Sequence, residues 1–233
     1  MEYFEIVRQL ISTIEHAEGD KIEQVAELMA ECIIHGGIPH IFGSGHSSIP
    51  AKEVFIRAGT LSCLRAIAIN EDLDPYERIE GVAAAVLSKY DLRPGDLLIV
   101  ISNSGINPLP IEMAQIGKEK GLRVVAISSL SHSLSQKSRH SSQKRLVDIA
   151  DITIDTHVPE GDAALEVASL PMKIGPLSTL AGVTIMDAVV VETIVKMLAM
   201  GAEPPVRISR NMPGGDEHNA RFRQQYGSRI PEL

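Results

Sequence analysis

Leu97-Leu98-Ile99-Val100-Ile101-Ser102-Asn103-Ser104-Gly105-Ile106-Asn107-Pro108 is the stretch on which the fold reading turns. Five aliphatic residues run unbroken after the turn Arg93-Pro94-Gly95-Asp96. The chain then changes at once to small polar residues and a glycine. A short aliphatic run bounded by turn signals is the pattern of a strand buried on both faces. Residues 110–120 follow with helical spacing and are closed by Gly121, a residue suited to the position just past a helix end. The stretch therefore predicts a strand, a polar loop and a helix in that order.

The same alternation extends both ways. Upstream, residues 38–42 predict a strand ending at Gly43, residues 48–58 a helix, 63–69 a second strand and 77–90 a second helix. Downstream, residues 123–127 predict a fourth strand, 146–150 the end of a helix, and Ile152–Asp155 a short fifth strand. Residues 176–200 predict one long apolar helix. Residues 3–35 predict two helices, with Gly19 breaking the pattern and Asp20 capping the second. Strands alternating with helices imply right-handed βαβ units, a parallel sheet and a doubly wound α/β fold. The chain reads as a single domain over residues 1–233, with a helical extension at 1–36 and a tail at 201–233.

Composition narrows the function classes. Aromatics make up 3% of the 233 residues and Trp is absent. This disfavours a base-stacking platform or a sugar-stacking surface. A formal charge of −8 argues against nucleic acid or an anionic membrane as partner. The cluster Lys137, Arg139, Lys144 and Arg145 reads as a solvated helix face. Cys32 and Cys63 form neither a disulfide framework nor a zinc motif. An acidic N-terminus and no apolar run of membrane-spanning length give a cytoplasmic expectation.

In open α/β sheets, ligands bind beyond the carboxyl ends of the strands. After the first strand comes Gly43-Ser44-Gly45-His46-Ser47-Ser48, which matches neither a dinucleotide fingerprint nor a Walker A loop. Alone it is also a tight turn with serine caps. The third loop, Ser102-Asn103-Ser104-Gly105-Ile106-Asn107, places neutral donors at the start of a helix, an arrangement suited to a phosphate monoester. The fourth strand ends in Ser128-Ser129. Three hydroxyl-rich loops at one edge exceed what helix capping alone requires.

These three segments resemble the phosphate-cradling loops of the SIS (sugar isomerase) family, which includes phosphoheptose isomerase, the isomerase half of glucosamine-6-phosphate synthase and N-acetylmuramic acid 6-phosphate etherase. Arg57-Ala58-Gly59, residues 95–113 and the tail from Pro204-Pro205-Val206 to Asn219 further resemble an uncharacterised group of SIS proteins labelled phosphoheptose isomerase-like. The resemblance implies a flavodoxin-like five-stranded sheet. It also implies homo-oligomers, here a homodimer or homotetramer, with active sites near subunit interfaces.

The expected ligand is a phosphorylated sugar, held by Ser44, Gly45, Ser47, Ser48, Ser102, Asn103, Ser104, Gly105, Asn107, Ser128 and Ser129. Aldose–ketose isomerisation through an enediol needs a base for the C2 proton and an acid or base for ring opening. Glu53 is the first candidate base, although an i, i+4 pair with Arg57 accounts for it equally well. Glu71, beside Asp72, is a candidate or the acidic entrance of a helix. His46 and His132 are candidates or ordinary loop histidines. Where phosphoheptose isomerase carries a metal-binding His and a catalytic Glu one turn later, this chain has Glu53 and Arg57. Its late helix offers Thr179 and Asp187. No HxxxE or HExxH pair occurs, so no metal and no cofactor are expected. A lyase or etherase acting on a sugar phosphate, and a non-catalytic phosphosugar sensor, remain alternatives. Residues 211–219 read as a lid, an arm to a neighbouring subunit or a plain polar loop.

Overall fold

The computed structural model describes residues 1–69 and 76–233. Its elements in chain order are α1 (Glu2–Ile34), β1 (Pro39–Gly43), α2 (Ile49–Val54), β2 (Arg65–Ile67), α3 (Val82–Leu87), β3 (Leu97–Ile101), α4 (Pro108–Glu119), β4 (Arg123–Ser128), α5 (Leu130–Ser135), β5 (Ile152–Asp155), β6 (Ala163–Leu165), β7 (Ile174–Pro176), α6 (Ser178–Ala199) and α7 (Gly215–Tyr226). Five strands form one parallel sheet in the order β2-β1-β3-β4-β5. The order reverses between β1 and β3, so the ends of those two strands flank the switch point where ligands bind in doubly wound sheets.

Strand period 2 sorts the core into two layers. Leu97, Ile99 and Ile101 of β3 pack with Val125, Ile127 and Ile154 against α1, α2 and α6. Leu98 and Val100 pack with Phe42, Val124 and Ala126 on the other face against α3 and α4. At roughly 25 cal/mol per Å² of apolar area, these aliphatic layers are the main stabilising term.

Several expected elements differ in extent. Residues 2–34 form one helix, not two. Gly19 costs only about 1 kcal/mol in a helix interior, and packing along α6 holds both sides of it. Just before it, the buried Glu18 accepts from Asp155 N at 3.1 Å, which pins the middle of the helix to the sheet. The helix expected at 48–58 stops at Val54, and Ile56 has φ 53°. The helix expected at 77–90 is confined to α3 because Gly81 is left-handed with φ 89°. The basic residues 137–145 lie in a loop, not on a helix.

Helix α6, contrary to expectation, is long and apolar enough to cross a membrane by length and composition alone. One side of it is buried against α1 and α2 through Ala181, Ile185, Val189 and Val190. The hairpin β6–β7 and helix α7 were not foreseen. Residues 204–233 fold back on the body: Arg207 N donates to Thr60 O, and Arg65 donates to Arg229 O at 2.6 Å. Arg229 in turn pairs with the buried Asp96 at 2.5 Å.

Candidate functional site

The first loop is fixed by a close approach. A Cβ on Gly43 would fall 1.9 Å from Ser47 O, so only glycine lets the chain fold back over the end of β1. Ser44 follows, buried, and its Oγ donates to Glu77 Oε2 at 3.0 Å. The loop after β3 turns at Gly105, whose φ of +61° favours glycine. Gly105 N donates to Ser102 Oγ at 3.2 Å. Asn107 stands at the N-cap of α4 but makes no capping bond. Its Nδ2 donates to Glu77 Oε1 at 2.8 Å, and its Oδ1 accepts from Arg139 at 2.8 Å.

The two loops therefore meet across a single carboxylate. Glu77, from the segment before α3, bridges Ser44 of the first loop and Asn107 of the third. Ser104 Oγ and the N–H groups of Ile106 and Asn107 carry no hydrogen bond among the described residues. These unspent donors sit beside that bridge at the start of α4, where the helix dipole favours negative charge. Arg139 adds a guanidinium from a segment distant in sequence. The absence of Lys and Arg from the loops themselves therefore does not leave the site without a cation.

Ser128 and Ser129 serve a different purpose from the expected one. Both are fully buried. Ser128 Oγ donates to Ser102 O at 2.7 Å and so ties β4 to the third loop. Ser129 Oγ donates to Val158 O at 2.6 Å and accepts from His132 N, capping α5. Their hydroxyls are committed to holding the loops together. Ser48 Oγ likewise donates to Gly45 O.

A narrow crevice opens on the α6 side, lined by His46, Ser47, Asn103, Thr156, Ser178 and Thr179. Thr156 Oγ1 donates to Asn103 Oδ1 at 3.2 Å. Asp162 caps α6 by accepting from Leu177 N, Ser178 N and Ser178 Oγ. Further along, Pro50 of α2 packs on Gly182 of α6, where a Cβ would come within 2.8 Å. This contact brings Glu53 and Asp187 together. Glu53 pairs with Arg57. The Asp187 carboxyl is pushed up from its ordinary value by burial and by the Glu53 charge, with Arg57 opposing.

Of the other candidates, His132 Nδ1 accepts from Gly161 N at 3.4 Å. Glu71 lies outside the described residues. Residues 215–219 of the expected lid or arm belong to α7, and Asn219 clamps both backbone groups of Ile208. Sequence reading missed Glu77, Arg139 and Thr156 as parts of the site. Glu77 stands ten residues past β2, a place that gave no signal beyond the start of a helix.

The SIS domain family model matches residues 2–129, more than half of the chain. The chain belongs to the SIS domain family. A UPF0309 protein of Listeria innocua is 40% identical over 99% of this chain and 97% of its own length. One from Geobacillus kaustophilus is 38% identical over all of this chain and 96% of its own. Among solved structures, a phosphoheptose isomerase from Neisseria gonorrhoeae superposes with a TM-score of 0.59 at 16% identity, over 83% of this chain and 96% of that one. An E. coli CFT073 protein in complex with a phosphosugar has a TM-score of 0.55 at 17% identity, over 83% of this chain and 87% of that one. These likenesses establish the SIS fold: a five-stranded parallel sheet with flanking helices.

Proposed function

We propose that this SIS domain binds a phosphorylated sugar and interconverts its aldose and ketose forms. The observation that carries the reading is the set of unspent donors at the switch point, Ser104 Oγ with the N–H groups of Ile106 and Asn107, next to Arg139. Such a set binds a phosphate monoester through charge-assisted hydrogen bonds. In the absence of ligand, Glu77 supplies the negative charge that Ser44 and Asn107 require. An incoming phosphate takes over those two donors and displaces the carboxylate.

The proton-transfer groups we assign are Glu53 and Asp187. Burial and the nearby Glu53 charge raise the Asp187 carboxyl, which suits it to the acid role, with Glu53 as the base. The pair stands one turn along α2 from the crevice that begins at His46 and Ser47. On this reading, they serve as acid and base for a sugar whose phosphate is held at Ser104. His46, exposed on the crevice wall, is positioned to assist ring opening.

Helix α6 leaves Val191, Val195 and Leu198 exposed in one stripe. Their i, i+4, i+7 spacing is that of a helix–helix contact, and it supports a homo-oligomer built through α6.

The test is incubation with hexose, amino-sugar and heptose phosphates in deuterated water, followed by NMR at C2. Exchange with at least one phosphate and none with its unphosphorylated counterpart is the expected result. Tight binding without exchange overturns the isomerase assignment in favour of a sensor. Exchange with loss of a C3 substituent makes the protein a lyase.

A further inference from the structure

Beside the cradle, outside the groups assigned to binding or proton transfer, three side chains from three segments converge. Glu80 lies just before α3, Glu112 in the first turns of α4, and His140 in the loop after α5. Each offers one ligand atom, and the three atoms lie within 4.8 Å of one another. His140 Nε2 stands 3.7 Å from Glu112 Oε1 and 4.0 Å from Glu80 Oε2. His140 is 7% exposed, yet its Nε2 makes no hydrogen bond among the described residues. The imidazole as a whole is about nine-tenths buried, and its Nε2 faces two carboxylates without bonding either, as a ligand atom lacking its partner does.

We propose that Glu80, Glu112 and His140 bind a divalent transition metal, Zn²⁺ in preference to Mg²⁺ or Ca²⁺. An imidazole in the donor set selects for zinc over the hard cations, which prefer all-oxygen shells. Zinc bonds of 2.0–2.2 Å set tetrahedral ligand spacings of about 3.3 Å. The observed 3.7 and 4.0 Å close to that by small rotations of the two glutamates.

The surrounding hydrogen bonds already orient the ligands, as outer-shell partners of metal sites do. Glu112 Oε1 accepts from Gly81 N at 2.7 Å. Glu80 accepts from Ser141 N at 2.6 Å and Ser141 Oγ at 2.8 Å. With metal on Nε2, Nδ1 carries the proton and donates to Ser142 Oγ, which lies 2.7 Å away. The 3.1 Å contact from Ser142 N to Nδ1 is then given up. The site would use three protein ligands and leave a position for water on the exposed Glu80 side.

The position of the site suggests its purpose. His140 follows Arg139, which holds Asn107. Glu80 is three residues past Glu77, which bridges Ser44 and Asn107. A metal here would join the segments carrying Glu77 and Arg139 to α4 and fix both beside the anion site.

Calorimetric titration of the metal-stripped protein with Zn²⁺, and absorbance titration with Co²⁺, test the site directly. One equivalent should bind, with a Co²⁺ d–d band of a nitrogen–oxygen site. Zn²⁺ should slow amide exchange in residues 76–81 and 138–142. His140→Ala and Glu112→Gln should remove binding. The exposed Glu80→Ala, which carries little risk to folding, should weaken it at least tenfold. Absence of saturable Zn²⁺ binding to the wild-type protein overturns the proposal. So does unchanged affinity in Glu80→Ala, whatever becomes of the buried variants.

Discussion

Glu77→Gln isolates the charge that the unliganded site keeps for itself. In the wild-type protein the carboxylate accepts at 3.0 Å from Ser44 and at 2.8 Å from Asn107. Hydrogen bonds to a charged group contribute roughly 1.5–3 kcal/mol each, so a phosphate that takes both donors must offset about 3–6 kcal/mol before it gains. Glutamine keeps the shape but only one acceptor oxygen, which accepts from Asn107 Nδ2, while its NH2 donates to a reoriented Ser44 hydroxyl; each is a neutral bond of about 1 kcal/mol. It also removes the repulsion between a carboxylate and a phosphate carrying roughly −1.5 to −2 charges. Glu77 is partly exposed, so solvent screening discounts that repulsion, and a net gain of about 1.4–2.8 kcal/mol is expected. That corresponds to tenfold to a hundredfold tighter binding. Calorimetry with inorganic phosphate measures it without knowledge of the sugar. The gain should shrink as salt is raised from 0.05 to roughly 0.5 M, where the Debye length becomes short. Equal or weaker phosphate binding by Glu77→Gln would refute the view that this carboxylate stands on the anion's donors.

Three further outcomes follow from the same structure. Ser104→Ala should weaken sugar-phosphate binding roughly tenfold by loss of one charge-assisted hydrogen bond, and Ser104→Val should abolish it by filling the cradle, with circular dichroism unchanged in both; wild-type affinity in the alanine variant removes Ser104 from the site. Val195→Lys should turn the proposed oligomer into monomers in light scattering, because the exposed stripe on α6 cannot bury an ammonium group; a wild-type oligomer whose mass the variant leaves unchanged assigns the contact to another surface. Stability should fall in acid. Burial disfavours the Asp96 carboxylate, but His40, Arg229 and the N–H groups of Ile38 and Arg93 hold it well below the ordinary range. A depressed carboxylate stabilises fully above its unfolded value of about 3.9 and loses that contribution as pH falls below it. His40 is lowered chiefly by burial, so its contribution is complete above about pH 6.5 and also declines on acidification. Urea unfolding should show a gradual loss below about pH 6.5 and a steeper one below about 4. Asp96→Asn should cost about 3 kcal/mol at neutral pH by removing the buried anion that Arg229 pairs with and leaving it only the more exposed Asp91, and remove the steeper phase; a pH profile like that of the wild type would show that the pair is not what holds the tail.

What could be read in the sequence was whatever depends on neighbours in the chain. The runs at 97–101, 123–127 and 152–155 announced buried parallel strands because a strand covered on both faces needs no polar alternation. The glycines of the first and third loops announced turns because their backbones leave no room for a Cβ or adopt positive φ. Both signals are local, and both were correct. The break expected at Gly19 failed for the opposite reason. A glycine's preference is worth about 1 kcal/mol, and the long-range contact of Glu18 with β5, together with packing along α6, outweighs it. The extent of the short helices α2 and α3 was overestimated because Ile56, after α2, and Gly81, before α3, bound them through backbone conformations that apolar periodicity does not encode.

The site divides along the same line. Ser44, Ser104 and Asn107 were legible because each lies just past a strand in a polar loop. Ser128 and Ser129 have the same local signature, yet their hydroxyls are used inside the fold, since the carbonyls of Ser102 and Val158 happen to lie within reach. Sequence cannot separate a serine that faces a ligand from one that faces a carbonyl of another loop. Glu77 and Arg139 are the converse case. One sits in a segment that reads as the start of a helix and the other in a basic run, and only the sheet order brings both onto Asn107. Asp187 was named through the resemblance of the late helix to that of phosphoheptose isomerase, but its nearness to Glu53 arises from Pro50 packing on Gly182. The expectation of no metal rested on the absence of paired ligands at helical spacing. The proposed ligands Glu80, Glu112 and His140 come from three segments, so no spacing rule finds such a set. The parts of this site that carry charge are those assembled at long range. The neutral donors are those assembled locally. A chain can mark an anion site in its loops while the ions that tune it are drawn from wherever the fold happens to close.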